Sequence, residues 1–385
     1  MIINVIVLLF FIVSIFYTIK YKFIQLKFIK ESKIALKNKK SKSAFLLSLG
    51  SHIGAGNILG VTTALIIGGP GVLFWMTVCT IFTSIFSLIE NTLGLKYKAV
   101  IDDEERGGSP YYILNGLNNK TLSSIFSIIL VLSSTIFFLP IQVRGVCYSI
   151  TSIFKVDLFF VFLFLIIFSL LFIFRGTEIL IKCIDKIVPI MTFAFLFVCI
   201  FGIISRFRFI DDVIKMIIND AFNFKSGIAS VIIIGLKRSI FSNEAGLGTA
   251  PSINCYSNNL PIRQGYLQVL TCFIDTIVMC VMFGFVILLY DFDLNSYSGE
   301  ELSIAIFEKM FNSNGKIIGN FLLFIFSFAT IISSFYAGET NMLFNCINKN
   351  NRVKLYKFIY SAFYYLWTKF LILVSFLFLV VLDSF

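Results

Sequence analysis

Phe241-Ser242-Asn243-Glu244-Ala245-Gly246-Leu247-Gly248-Thr249-Ala250-Pro251 cuts into an apolar run at about 228–250. A stretch of the same kind, Gly50-Ser51-His52-Ile53-Gly54-Ala55-Gly56-Asn57-Ile58-Leu59-Gly60, cuts into the run at about 44–67. Each glycine inside a helix costs about 1 kcal/mol relative to alanine, so clusters this dense predict local unwinding. Unwound backbone in hydrocarbon is tolerated only where it is buried in protein or lines a wet cavity. Its freed N–H and C=O groups, backed by half-helix dipoles, can hold a carboxylate and a cation. Close helix packing through small residues explains a single such cluster equally well. Two clusters at comparable places in successive halves point to a binding site.

The composition around these stretches is that of a membrane protein. The chain has 385 residues, 58% of them apolar and only 14% charged, with 47 Phe, and its mean hydropathy is +0.93. That leaves too little polar material to cover a soluble fold of this size. A cytosolic enzyme, a secreted disulfide scaffold and a disordered chain are excluded, and an all-α polytopic membrane protein is expected. The net charge is +11, but nine basic residues lie between Lys20 and Lys42 and most others sit at the ends of apolar runs. They read as topology signals and contacts to anionic lipid of the bilayer. No basic groove interleaved with aromatics lies outside the apolar runs, so no nucleic-acid partner is expected. The eight cysteines form no C-x-x-C pair and there is one histidine, so no metal-ligand set and no cofactor is indicated. There is no nucleophile–base set either, which argues against an enzyme. Gly68-Gly69-Pro70-Gly71 is a helix connector rather than a phosphate cradle, since no Lys-Ser/Thr follows it.

Residues 1–19 are long enough to span a bilayer, and they lack the preceding charge and the cleavage site of a signal peptide. Further apolar runs at about 71–96, 122–152, 156–175, 186–205, 264–290, 316–346 and 356–382 bring the expectation to roughly ten spans. The basic cluster after residue 19 places the N-terminus outside. Lys96, Arg106, Arg175, Lys186, Arg263 and Lys354 then fall inside and the acidic stretch Asp291–Glu301 falls outside, with 206–225 as an exception to the rule. The C-terminus falls outside as well. Residues 1–43 form an extra helix and a basic cytoplasmic segment, and 44–206 a first five-helix unit. Residues 207–227 form an extracellular connector, and 228–385 a second unit that enters from the opposite side, an inverted repeat.

The motifs resemble those of the alanine or glycine:cation symporter family, within the amino acid–polyamine–organocation superfamily. Those that carry the likeness are Gly54-Ala-Gly56-Asn57-Ile-Leu-Gly60-Val61, Gly68-Gly-Pro-Gly-Val-Leu-Phe-Trp75-Met76, Gly108-Ser-Pro-Tyr-Tyr112-Ile113, Val188-Pro-Ile-Met191, Phe241 to Pro251, Phe273-Ile-Asp275-Thr276, Phe328-Ala-Thr330 and Tyr336-Ala-Gly-Glu339. They run in family order over about 44–345. The resemblance implies a LeuT-type five-helix inverted repeat with two broken helices, and the abundance of Phe, Ile, Lys and Asn points to a bacterium, hence to its plasma membrane. It implies sodium-coupled uptake of a small neutral amino acid, alanine or glycine first. The amides around Gly54, Ala55 and Gly56 would hold the substrate carboxylate, and Asn57, Gln142, Phe241, Ser242 and Asn243 would complete its site. Sodium, the coupling ion, would take the carbonyls of Gly50, Ile53 and Phe326 and the hydroxyl of Thr330.

The chain also departs from the family pattern. Ala329 stands where a serine is usual, Ser334 where a tryptophan is usual, and Val143-Arg144 where a small residue and asparagine are usual. An arginine at membrane depth requires pairing or hydration. The core count stops at nine helices, with the last core helix apparently missing. This motivates an alternative: a truncated or degenerate member that binds amino acid, or a partner chain completing the bundle, without transporting. Among other residues, His52 reads as a polar side chain facing a vestibule, with proton sensing as the sharper reading. Glu90 reads as snorkelling or as part of transport, Asp275 as hydrogen-bonding or ion-coupling, and Glu244 as a hydrogen-bond partner of freed amides.

Overall fold

The computed structural model describes residues 2–101, 104–154, 177–223 and 228–344, with isolated positions between 156 and 167 and between 356 and 360. Within them the chain is helical apart from one hairpin. In order it forms α1 (Ile2–Lys20), α2 (Phe28–Ala35), α3 (Lys39–His52), α4 (Val61–Gly68), α5 (Val72–Lys96), β1 (Ala99–Ile101) and β2 (Glu104–Arg106). There follow α6 (Ser109–Leu117), α7 (Lys120–Leu132), α8 (Leu139–Phe154), α9 (Thr177–Ser205), α10 (Ile210–Ala221) and α11 (Ile228–Asn243). The last are α12 (Ala250–Asn254), α13 (Pro261–Cys272), α14 (Met282–Leu289), α15 (Gly299–Phe311) and α16 (Gly315–Phe344). Three π-helical stretches join neighbours: Gly56–Gly60 before α4, Ser133–Phe138 between α7 and α8, and Phe273–Val281 between α13 and α14.

Burial follows the logic of a lipid solvent. In α1 the buried residues are the hydroxyl-bearing Ser14 and Thr18, while Ile2, Ile6, Ile12 and Phe16 are exposed. Thr18 donates to the Phe82 carbonyl of α5 and accepts from Gln25 Nε2, so the polar stripe is satisfied inside the protein. In α9, Ile190, Phe193 and Phe197 face outward, whereas Phe195 turns inward against Phe283 and Phe326, each at 5.2 Å between ring centroids. α16 is the strut of the molecule: nearly all its residues from Phe326 to Asn341 are buried.

Six described helical stretches are long and apolar enough to cross a membrane, and seven if α3 and α4 count as one span bent by 52°. The difference from about ten has identifiable sources. The expected spans at 156–175 and 356–382 lie almost wholly outside the described residues, and α11 is only 16 residues long because the break at Glu244 ends it. The connector at 207–227 contains a helix, α10, whose Asp220 accepts from the Gly71 amide at 2.8 Å. The hairpin β1–β2, paired antiparallel with Ala99 opposite Arg106, has no counterpart in the hydropathy pattern. Arg144 is paired: its Nε lies 2.5 Å from Glu300 Oε1, tying α8 to the start of α15.

Candidate functional site

The first break begins where Ile53 leaves helical geometry with ψ at 91°. Its amide makes the last helical bond, to the Leu49 carbonyl at 2.9 Å. The carbonyls of Gly50 and Ile53 are thereby freed and turn to α16, where Thr330 Oγ lies 3.0 Å from each and 3.1 Å from the Phe326 carbonyl. One hydroxyl proton cannot serve three carbonyls, so the cluster is rich in oxygen lone pairs and poor in donors. It carries no formal charge. Such a set suits a hard monovalent cation.

One residue further on, the freed amides are also engaged. The Ala55 amide donates to Gln142 Oε1 at 2.8 Å, and the Gly54 amide to Asn57 Oδ1 at 3.1 Å. The Gln142 oxygen stands where a ligand carboxylate oxygen would accept the same N–H. A Cβ on Gly54 would lie 2.7 Å from both Gln142 Oε1 and Thr330 Oγ. That glycine therefore lets the helices from both sides approach the break.

The two breaks are joined by a polar cluster on the π-helical stretch at Phe273–Val281. Asp275, fully buried, accepts from Asn57 Nδ2 at 2.5 Å and from Ser242 Oγ at 2.6 Å. Asn243 donates to Thr276 Oγ at 3.2 Å and to Ser239 Oγ at 3.3 Å, while its Oδ1 caps the Ala245 amide at 3.1 Å. Arg238, one turn before Ser242, donates to the Gly56 carbonyl at 2.5 Å, and a Cβ on Gly60 would lie 2.7 Å from its guanidinium carbon. Arg238 is not among the residues expected at the site, although a basic residue inside an apolar run is a signal of such a role.

The second break runs from Glu244 to Thr249, with positive φ at Glu244, Gly246 and Gly248. The expectation that Glu244 takes the freed amides is corrected. Glu90, buried on α5, accepts from the Gly246 amide at 3.1 Å and the Gly248 amide at 3.0 Å. Glu244 instead accepts from the Thr249 hydroxyl. His52 is buried rather than vestibular, and neither ring nitrogen has a hydrogen-bond partner among the described residues.

The structure thus brings Gly50, Ile53, Phe326 and Thr330 into one cluster, and Gly54, Ala55 and Gln142 into contact beside it. Gly56, Asn57, Ser242 and Asn243 lie in the polar network between the breaks. Phe241 is apart from both: half-exposed, it stacks on Phe138 with 5.9 Å between centroids.

Comparison with known proteins agrees with this architecture. The chain is 31% identical over 343 residues to the amino-acid carrier protein AlsT of Bacillus subtilis, covering 86% of this chain and 74% of that one. It is 30% identical over 355 residues to the probable sodium/glutamine symporter GlnT of the same organism, covering 88% and 74%. It is 31% identical over 335 residues to the sodium/alanine symporter AgcS of Methanococcus maripaludis, covering 83% and 74%. Among solved structures, a manganese transporter of Eremococcus coleocola matches with a TM-score of 0.57 at 14% identity, covering 83% of this chain and 68% of that one, a likeness of fold alone. The profile of the sodium:alanine symporter family matches residues 1–374. The chain is therefore a multi-pass membrane protein of amino acid transport, not an enzyme, and belongs to the sodium:alanine symporter family.

Proposed function

We propose that the protein imports a small neutral amino acid, alanine or glycine first, in symport with sodium by alternating access. The reading takes the chain as a LeuT-type inverted repeat: 44–206 and 228–385 are its halves, 207–227 the outer connector and 1–43 a peripheral helix with a basic segment. Sodium binds the carbonyls of Gly50, Ile53 and Phe326 and the hydroxyl of Thr330. The substrate carboxylate takes the amides at Gly54–Gly56 by displacing the Gln142 oxygen. Asn57, Ser242 and Asn243 hold the adjoining walls, with Phe241, stacked on Phe138, set apart from them.

The observation that carries this reading is the donor-poor oxygen cluster at Thr330, whose Ile53 carbonyl lies two residues before an amide that already holds a side-chain carbonyl oxygen. Coupling follows from Gly54, which stands between the two. Ordering of the break by sodium presents the amides to the carboxylate, and the carboxylate in turn favours the ordered break. The names of AlsT and AgcS point to the same substrate class and ion.

The test is uptake of labelled alanine into liposomes carrying the 385-residue chain, with and without an inward sodium gradient. Sodium-driven accumulation is expected, and Asn57→Ala and Gly56→Val are expected to abolish alanine binding while the protein remains membrane-inserted. Binding unchanged in both variants would remove the site from this position.

A further inference from the structure

A narrow cleft lies beside the site, one helical turn from it along the helices that carry Gln142 and Thr330. Ser51, Phe138 and Ser334 line it, and they are four residues from Ala55, Gln142 and Thr330 respectively. Glu244, the residue after Asn243, and Ser134 line it as well. A turn of helix is about 5.4 Å. That is the reach from a carboxylate held at the first break, across the α-carbon, to a hydrogen-bond partner of a short side chain.

The polar groups of this cleft divide into two sets. Thr249 Oγ donates to Glu244 Oε2, and Ser134 Oγ donates to the Val131 carbonyl at 2.9 Å, so these are satisfied. Among the described residues Ser51 Oγ, Ser334 Oγ and Glu244 Oε1 make no hydrogen bond, and none of the three is sealed from the cleft. The space between the walls is about 10 Å³, room for a single water or a single hydroxyl group. It combines two hydroxyls, which can donate or accept, with one carboxyl oxygen, which accepts.

We infer that this cleft is the side-chain pocket of the transported amino acid and that it selects a hydroxyl-bearing side chain over an apolar one of the same shape. The inference rests on the symport reading and adds to it the chemistry of the side chain. Its hydroxyl would donate to Glu244 Oε1 and accept from Ser51 or Ser334. An ethyl side chain of equal size would leave all three groups without partners, which a water-poor site penalises. Carboxamides and longer side chains exceed the space.

L-serine and L-2-aminobutyrate are near-isosteres that differ by hydroxyl against methyl, so their comparison isolates the claim. Each is titrated calorimetrically into the purified full-length chain in saturating sodium chloride. Serine is expected to bind at least about tenfold more tightly. In the double variant Ser51→Ala/Ser334→Ala the ratio is expected to fall to about threefold or less, because serine binds more weakly while 2-aminobutyrate, no longer facing unpartnered hydroxyls, binds at least as well. Equal affinities in the unaltered chain, or a ratio that survives both substitutions, would overturn the inference and leave the symport reading intact. Binding of neither ligand while labelled alanine still binds would overturn the inference alone, and loss of alanine binding as well in folded protein would overturn both.

Discussion

At the scale of single residues, Thr330 has the most specific chemistry. Its hydroxyl can satisfy only one of the three carbonyls around it at a time, and valine would keep its shape while removing one oxygen. The neighbouring Ala329 is fully buried and offers no hydroxyl in compensation. Thr330→Val is therefore expected to raise the sodium concentration for half-maximal alanine binding by at least about tenfold, which corresponds to about 1.4 kcal/mol. Thr330→Ser should stay near the unaltered value. Both are read by sodium titrations of labelled alanine binding, with thermal unfolding as a check on the fold. An unchanged sodium dependence in the valine variant would place the ion elsewhere.

At the scale of elements, the two breaks are stabilised differently, and the second relies on a distant acid. Glu90 holds two amides of the Glu244–Thr249 turn, and both would be left buried without a partner in Glu90→Ala. At about 1–3 kcal/mol for each unpaired group, that variant should lose several kcal/mol of stability. Glu90→Gln, which keeps one carbonyl oxygen, should lose less. Thermal unfolding in detergent checks the order, and equal loss in the two variants would mean that the amides are not what Glu90 holds. Position and type of the broken elements were legible in the sequence because glycine acts on its own local backbone: α3 ends at His52 and α11 at Asn243, inside the two Gly-bearing stretches. The clamp was not legible, since Glu90 meets Gly246 across 156 positions and nothing local marks the pair. Asp275 stood out as a charge in an apolar run, and Arg238 carried the same signal, but their partners follow only from packing. The hairpin at 99–106 leaves no mark in the hydropathy because its strands are three residues each and lie in a charged loop.

At the scale of the whole molecule, alternating access requires that some mass of protein part on one side while another closes. One candidate mass is visible beside the cleft. Arg106, buried at the end of β2, donates to Thr340 Oγ at 2.8 Å, lies 3.7 Å from Glu339 and sits over the Tyr336 ring at 5.3 Å. The hairpin is thereby fastened to the last turns of α16, the helix that carries Thr330 and Ser334. Lys98 extends the fastening to the Ser257 carbonyl at 3.1 Å, and Ser252 reaches Asn341 at 3.2 Å, so the segment after the second break is joined to the same unit. Basic residues Lys96, Lys98 and Arg106 make this the side that the charge pattern assigns to the cytoplasm. Removing the guanidinium takes away a side chain that bridges hairpin and α16 through hydrogen bond, ion pair and ring contact together. Arg106→Ala should therefore shift the population toward a state open on that side. With native cysteines replaced by alanine, a cysteine at Ser334 (Ser334→Cys) should react with a membrane-impermeant thiol reagent at least about threefold faster in the Arg106→Ala background, and only when the reagent has access to the cytoplasmic face. Equal rates in the two backgrounds would show that the hairpin rides with α16 through the transport cycle instead of closing the cleft.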